Sequence, residues 1–147
     1  MFPTGPDRPD MPRTLTQADY AALAEFRFLI RQFLEFSENE ARRVGLAPRQ
    51  HQALLAIKGF GGGEAMGVGD LAARLTIRHH SAVELANRLC EAGLVVRSHD
   101  SRDQRRVLLS LTPLAETLLA ELSAAHLDEL ARLRPLLQGV LGRNDTR

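Results

Sequence analysis

Arginines are concentrated in one segment of this chain. Residues 74–106 contain seven arginines and four acidic residues. By contrast, the segment 16–44 and the segment after position 113 each carry four basic and five acidic residues. Guanidinium groups pair with phosphates and with guanine edges, so this local cluster indicates a nucleic-acid contact. Taken alone, an arginine-rich turn is more often a solvated surface, so the prediction depends on the elements that carry these residues.

The sequence gives less support to nucleotide binding and catalysis. The segment GVGDLA at 67–72 loosely matches the dinucleotide-binding fingerprint. That fingerprint requires a preceding buried strand and a βαβ unit, whereas a polyglycine stretch precedes it here. The Gly-Lys-Ser/Thr of a phosphate loop is also missing. We therefore expect no catalytic residues, no enzyme activity and no cofactor.

The metal-ligating side chains are sparse. Cys90 is the single cysteine, which excludes an intramolecular disulfide and a multi-cysteine zinc site. Its apolar helical position favours a buried structural thiol over a redox sensor. His51 and His126 could share a metal only if the fold brings them together, so no metal site is predicted.

Length and composition place the chain among single-domain proteins. It has 147 residues, 44% of them hydrophobic, and a formal net charge of +1. No apolar stretch approaches the roughly 18 residues that span a bilayer, and the start lacks the pattern of a signal peptide. We expect a cytoplasmic protein without a membrane partner. Prolines at 3, 6, 9 and 12 predict a disordered tail over residues 1–13, with contact to a partner or DNA as the alternative.

The hydrophobic pattern predicts a mainly helical fold with one hairpin. In order, we expect a helix over 16–44, a helix from Pro48, a glycine-rich loop over 59–69, a short helix VGDLAARL, a longer helix over 78–92, strands at 94–98 and 106–111, and a helix from Pro113. Pro135 is expected to break or kink that last helix.

The first helix is apolar on more than one side. Apolar residues at 23, 26, 30, 33 and 34 have the spacing of one buried face, and Phe28, Leu29 and Phe36 lie outside it. A partner subunit and the C-terminal helix are both expected to contribute to covering these faces. The second helix is expected to bury Leu54, Leu55, Ile57 and Phe60.

Two short helices joined tightly and followed by a charged hairpin describe a winged helix-turn-helix. The predicted fold class is therefore mainly α with a small β-hairpin wing (α+β). The sequence also resembles the MarR family of winged-helix transcription regulators over about residues 16–142. The resemblance is carried by LAARL at 71–75, NRLCEAGLVVR at 87–97, the Asp103-Gln104-Arg105 wing motif and SLTP at 110–113.

The resemblance implies a homodimer on double-stranded DNA. Its expected domain spans 14–142, with a DNA-binding lobe over about 46–112 and dimerisation helices over about 16–44 and 113–142. The helix 78–92 would lie in the major groove and the hairpin in an adjacent minor groove. Such a dimer reads a pseudo-palindrome with half-sites about 34–36 Å apart.

The resemblance also suggests residue roles. Arg105 matches the wing arginine that enters the minor groove, and Asp103 matches the aspartate that steadies the wing; the alternative is a weak mutual salt bridge. Glu84 would accept from a cytosine amino group or pair with Arg88. Arg78 stands where the family often has a Ser or Thr helix cap. The predicted DNA-contact set is Arg78, His79, His80, Ser81, Glu84, Arg88, Arg102, Asp103, Gln104, Arg105 and Arg106.

Family members often bind small aromatic acids or drugs between the helical region and the winged lobes. By that analogy Phe26, Arg31, Phe33 and His51 would border a pocket for a small organic effector, aromatic or carboxylate, and the alternative for each is an ordinary core or surface position. The predicted function is that of a ligand-responsive repressor. The alternative function is a winged-helix protein–protein interaction module without specific DNA binding.

Overall fold

A computed structural model of the chain describes residues 14–142, so the predicted tail over 1–13 lies outside the described residues. The elements in chain order are α1 (Gln17–Arg43), α2 (Pro48–Lys58), a 3₁₀ turn (Phe60–Gly63), β1 (Met66–Gly67), α3 (Val68–Leu75), α4 (His79–Glu91), β2 (Val95–His99), β3 (Val107–Leu111) and α5 (Pro113–Gly142). The mainly helical fold class with a small β wing is confirmed.

Local capping chemistry sets the helix ends. The Thr16 amide donates to Asp19 Oδ2 over 2.9 Å, and the Asp19 amide donates back to Thr16 Oγ1, which forms a capping box at the start of α1. Pro48 occupies the first turn of α2, where its missing amide costs nothing. Gly93 has φ +72° and ends α4, because a left-handed residue reverses the chain toward β2 without a Cβ clash.

A three-stranded antiparallel sheet of order β1-β3-β2 forms the wing and its base. The wing is defined here as β2, β3 and the connecting tip 100–106. β2 and β3 pair from Val95↔Leu111 to His99↔Val107. The sequence did not predict β1, whose two residues pair with β3 and bind the start of α3 to the wing.

The principal core lies inside the winged lobe and reaches into α5. Its largest fully buried side chains include Leu54, Met66, Leu71, Leu89, Leu109 and Leu122. Thr112 fastens the start of α5 to this lobe: its hydroxyl donates to the Gly93 carbonyl over 2.7 Å and accepts from the Ala115 amide. Cys90 is half-buried against this core.

A second, smaller core joins α1 to the far end of α5. It consists of Ala22, Leu29, Leu133 and Val140, with Phe33 and Leu137 packed against it. Of the break or kink expected at Pro135, the break is wrong, because α5 continues to Gly142. Leu133 and Val140 are both buried in this core, so packing on either side of the proline keeps the helix continuous.

The expected burial of Leu55 is wrong, and the predicted stripe on α1 is not the side that this chain covers by itself. The predicted stripe on α1 is largely exposed within the chain, at Leu23, Phe26, Ile30 and Leu34. Leu29, which the pattern left outside the stripe, is buried instead, because α5 packs against the Ala22–Leu29 side. On α2, Leu55 is 49% exposed, since the core contacts of that helix run through Ala53, Leu54 and Ile57.

Candidate DNA-binding surface

The helix pair α3–α4 is joined by a tight turn. Asp70 accepts the Gly67 amide over 2.9 Å and so caps the start of α3. Thr76 ends α3 with a left-handed φ of +54°, which costs a β-branched residue about 1–2 kcal/mol and turns the chain sharply. Arg78 occupies the N-cap position of α4 without a side-chain cap bond. Its side chain is therefore exposed beside the open end of α4.

The buried side of α4 determines which residues face outward. Its buried positions are Ala82, Leu85, Ala86 and Leu89. Because successive helical residues turn by about 100°, the opposite side carries His80 and Glu84 at its centre. His79 lies on the edge toward the wing, while Ser81 and Arg88 lie on the edge toward α2.

Clefts flank α4 on both edges. A cavity of about 330 Å³ on the wing side is lined by His79 and Val83 of α4 together with Arg97 and Arg105 of the wing. A smaller one of about 180 Å³ on the α2 side is lined by Ser81, Glu84, Leu85 and Arg88 together with Ala47, Arg49 and Gln50. The DNA-contact set predicted from the sequence did not include Arg49. Pro48 could have indicated this residue, because the proline marks the start of α2 and therefore places Arg49 in the first turn of that helix.

The wing tip is ordered by its own backbone. Asp103 Oδ1 accepts the Arg105 amide over 3.1 Å, and the Asp103 carbonyl accepts the Arg106 amide over 2.9 Å. The Asp100 carboxylate accepts the Arg102 amide in the same way, over 2.9 Å. Within residues 14–142 the guanidinium groups of Arg102 and Arg105 have no hydrogen bond or ion pair. The two carboxylates therefore shape the tip and leave both cations available.

Two salt bridges considered from the sequence are not formed. Asp103 contacts the backbone amide of Arg105, and no ion pair joins their charged groups. No ion pair joins Glu84 to Arg88 in the described part of the chain either. The carbonyl of Gln104 is 3.0 Å from His99 Nδ1, so its backbone belongs to the tip structure. Arg106 differs from the other arginines of this surface, because its guanidinium forms an ion pair with Asp70 at 2.7 Å.

The predicted effector residues are only partly brought together. His51 is buried at 3% exposure, and its ring centroid lies 4.8 Å from that of His126 on α5. Phe33 packs edge-on against His126 at 5.9 Å. Phe26 and Arg31 are exposed on α1, and no ring contact or hydrogen bond joins them to this cluster. They are therefore separate from the His51–His126 pair.

The pair joins three helices. His126 Nδ1 donates to the Leu122 carbonyl over 2.6 Å, and its Nε2 forms a hydrogen bond of 2.8 Å with the Ser37 hydroxyl. Phe36 packs on the same ring at 5.4 Å. Sequence reasoning missed Ser37 and Phe36; their spacing from Phe33 on α1 puts all three on one helical side.

His51 is the exceptional member of this cluster. Its Nδ1 is the buried side-chain polar atom without a hydrogen-bond partner among the described residues. Burial lowers the pKa of His51, and the neighbouring His126 lowers it further. The ring is therefore held neutral, with one polar atom unsatisfied. Although the fold brings the two histidines together, residues 14–142 contain no group of three or more His, Cys, Asp or Glu side chains that could hold a metal.

A helix pair with a tight turn and a three-stranded wing defines the winged helix-turn-helix class. Residues 44–106 match the sequence model of the MarR family. No curated protein sequence matches the chain. Among the helices of residues 14–142, none is long and apolar enough to cross a membrane.

Solved structures share the fold. The chain is similar to AbsC, a MarR family transcriptional regulator from Streptomyces coelicolor, with 19% identity and a TM-score of 0.67 over 89% of this chain and 99% of that one. A mutant of MepR from Staphylococcus aureus, bound to an oligodeoxyribonucleotide, has 19% identity and a TM-score of 0.63 over 81% of each chain. A probable transcriptional regulator from Pseudomonas aeruginosa has 26% identity and a TM-score of 0.57 over 80% of this chain and 95% of that one.

Proposed function

We propose that this protein is a ligand-responsive repressor that binds a pseudo-palindromic DNA operator as a homodimer and catalyses no reaction. The observation that carries the proposal is the cleft in which His79 of α4 and Arg105 of the wing line the same cavity. The helix and the wing therefore present hydrogen-bonding and cationic groups to one shared side. A duplex laid on that side meets a helix and a hairpin spaced by the cleft.

The two elements are assigned to different grooves. The exposed side of α4, with Arg78 at its open end, suits the major groove, where arginine reads guanine and histidine or serine bonds to a base or phosphate. The wing tip is narrow and carries the unpaired cation of Arg105, which suits the negative potential of a minor groove. Arg49 lies beside Ser81 and Arg88, and it is proposed to add a backbone phosphate contact on the α2 side.

The homodimer is proposed from an apolar surface that the chain leaves uncovered. Large exposed hydrophobic side chains on the two long helices are Tyr20, Leu23, Phe26, Phe28, Ile30 and Leu34 of α1, and Leu114, Leu127, Leu130, Leu136 and Leu141 of α5. Exposed apolar surface of this extent is typical of a subunit interface. A second copy with its own α1 and α5 covers such a surface symmetrically and sets two α4 helices on one side of a duplex.

The response to an effector is proposed from the unsatisfied Nδ1 of His51. An acidic or hydroxyl-bearing aromatic ligand that reaches this ring would satisfy the buried nitrogen and pack against Phe33 and Phe36. His51 belongs to α2 of the winged lobe, whereas Phe33, Phe36 and His126 belong to the two long helices. A ligand inserted here would therefore move the lobe relative to the dimerisation helices and change the spacing of the two wings.

Selection of random duplex DNA by the purified protein tests this proposal. We expect enrichment of an inverted repeat whose half-sites are about 34–36 Å apart. Arg105→Ala should weaken binding to that repeat by about tenfold or more, since a bidentate or groove-inserted arginine contributes about 1–3 kcal/mol. Arg132→Ala is the matched control, because it removes the same charge from the outer part of α5, where Arg132 pairs with Glu129.

Two results would contradict this proposal. A folded dimer that enriches no sequence at low salt would reject the operator and favour the interaction-module alternative. Equal loss of affinity in the Arg105 and Arg132 variants would show a general charge effect, and the wing would have no special role.

A further inference from the structure

Arg106 and Asp70 connect the wing to the helix-turn-helix. Arg106 Nη2 donates to Asp70 Oδ2 over 2.7 Å. The same oxygen accepts the Gly67 amide over 2.9 Å and so caps α3. A single carboxylate thus joins the last residue of the wing tip, directly before β3, to the start of α3, across 36 positions of sequence.

The close approach depends on Gly67. A Cβ added at this position would lie 2.9 Å from Arg106 Nε and 3.2 Å from Asp70 Oδ2. The φ of Gly67 is −81°, which any residue adopts, so the glycine is required by the passing guanidinium and not by the backbone. Gly67, Asp70 and Arg106 therefore form one compact contact between the wing and α3, which we call the wing tether.

We infer that Arg106 is a positioning residue, and that the wing tether fixes the angle of the wing and thereby aims Arg105. This inference rests on the proposed function. Arg106 directly follows Arg105, so holding its side chain against α3 restricts where the Arg105 guanidinium can reach. The guanidinium of Arg106 already has an anion in Asp70, whereas the guanidinium of Arg105, which lines the same cavity, has none in the described residues. The sequence predicted Arg106 as a DNA contact; the tether assigns it an indirect role.

A comparison of Asp70→Asn with Arg106→Gln separates the two roles. In the Asp70→Asn variant the side-chain amide oxygen can still accept the Gly67 amide, so the cap remains while the ion pair is lost. For the wing tether, both variants weaken operator binding in the same direction by about two- to tenfold, and the double variant is no weaker than either single one. If Arg106 binds a phosphate directly, Asp70→Asn frees it and strengthens binding, whereas Arg106→Gln weakens it.

The salt dependence of operator affinity is a second measurement, and a change in the stability of the fold does not alter it. Each phosphate that a cation neutralises contributes about 0.9 to the slope of log affinity against log salt. Arg106→Gln should leave this slope unchanged and reduce the preference for operator over random DNA. A slope reduced by about 0.9 per wing would overturn the inference.

Amide hydrogen exchange in the free protein tests the wing tether without DNA. We expect Arg106→Gln and Gly67→Ala to speed exchange at the wing-tip amides of Arg105 and Arg106, with an unchanged midpoint of thermal unfolding. Unchanged exchange would show that the pair does not order the wing, and the inference would fail. If the wild-type protein selects no operator, the proposed function and the role in aiming Arg105 fail together, while exchange still decides whether the tether orders the wing.

Discussion

Replacing His51 with leucine should flatten the dependence of stability on pH. The pKa of His51 is lowered in the folded protein by burial and by His126. An unfolded chain has an ordinary histidine with a pKa of about 6.5. Between the two values the unfolded chain binds more protons than the folded one, so the free energy of unfolding falls as the pH falls. The full stability is present above about pH 6.5 and is lost below it.

The size of this effect is bounded by the structure. One proton changes the free energy of unfolding by at most about 1.4 kcal/mol per pH unit. Because burial and His126 both lower the pKa of His51, the wild-type slope below pH 6.5 should lie between zero and that limit. At neutral pH two effects oppose each other. Leucine removes an unsatisfied buried nitrogen that costs about 1–3 kcal/mol, and it loses ring contacts worth about 0.5–1.5 kcal/mol. His51→Leu should therefore be as stable as the wild type, or more stable.

Urea unfolding at a fixed protein concentration measures this difference. The series runs from about pH 7.5 to about pH 5, on either side of the ordinary histidine pKa. His79→Gln is the matched control, because it removes a histidine that lies exposed on α4, outside the buried cluster. Parallel curves for the wild type and His51→Leu would refute the reasoning, since they would show that the buried ring takes up its proton as easily as an unfolded one.

Two further predictions concern the long helices. Leu133→Ala should lower the free energy of unfolding, measured in urea, by about 2–5 kcal/mol, because Leu133 is 1% exposed in the small core. Leu136→Ala is the control, because Leu136 is 46% exposed, and it should change this free energy by less than about 1 kcal/mol. Equal losses in the two variants would contradict the assigned packing. Leu127→Arg, at 65% exposure on α5, should convert the dimer to monomers in sedimentation at a fixed concentration. Leu55→Arg on α2 should not, and an unchanged mass for the Leu127 variant would count against the proposed interface.

Helix boundaries could be predicted from the sequence where they depend on residues close to one another in the chain. Asp70 caps α3 from a distance of three residues, and Gly93 ends α4 by its own backbone conformation, so both boundaries were available from the sequence. Contacts between distant residues were not. The two-residue strand β1 exists only because β3 lies beside it. The contact between His51 and His126 and the ion pair of Arg106 depend on packing that no local pattern records.

The packing of α1 is informative about assembly. The hydrophobic pattern identified two apolar sides of this helix but could not decide which one the chain covers. In the structure α5 covers the side with Ala22 and Leu29, while the larger side chains of Leu23, Phe26 and Ile30 remain exposed. Burying one such side chain contributes about 1.5–3 kcal/mol, so a chain that acted alone would favour the opposite choice. A partner that covers the exposed side resolves this conflict, because both faces of α1 are then buried. The sequence pattern therefore described α1 in the proposed dimer more closely than α1 in one chain.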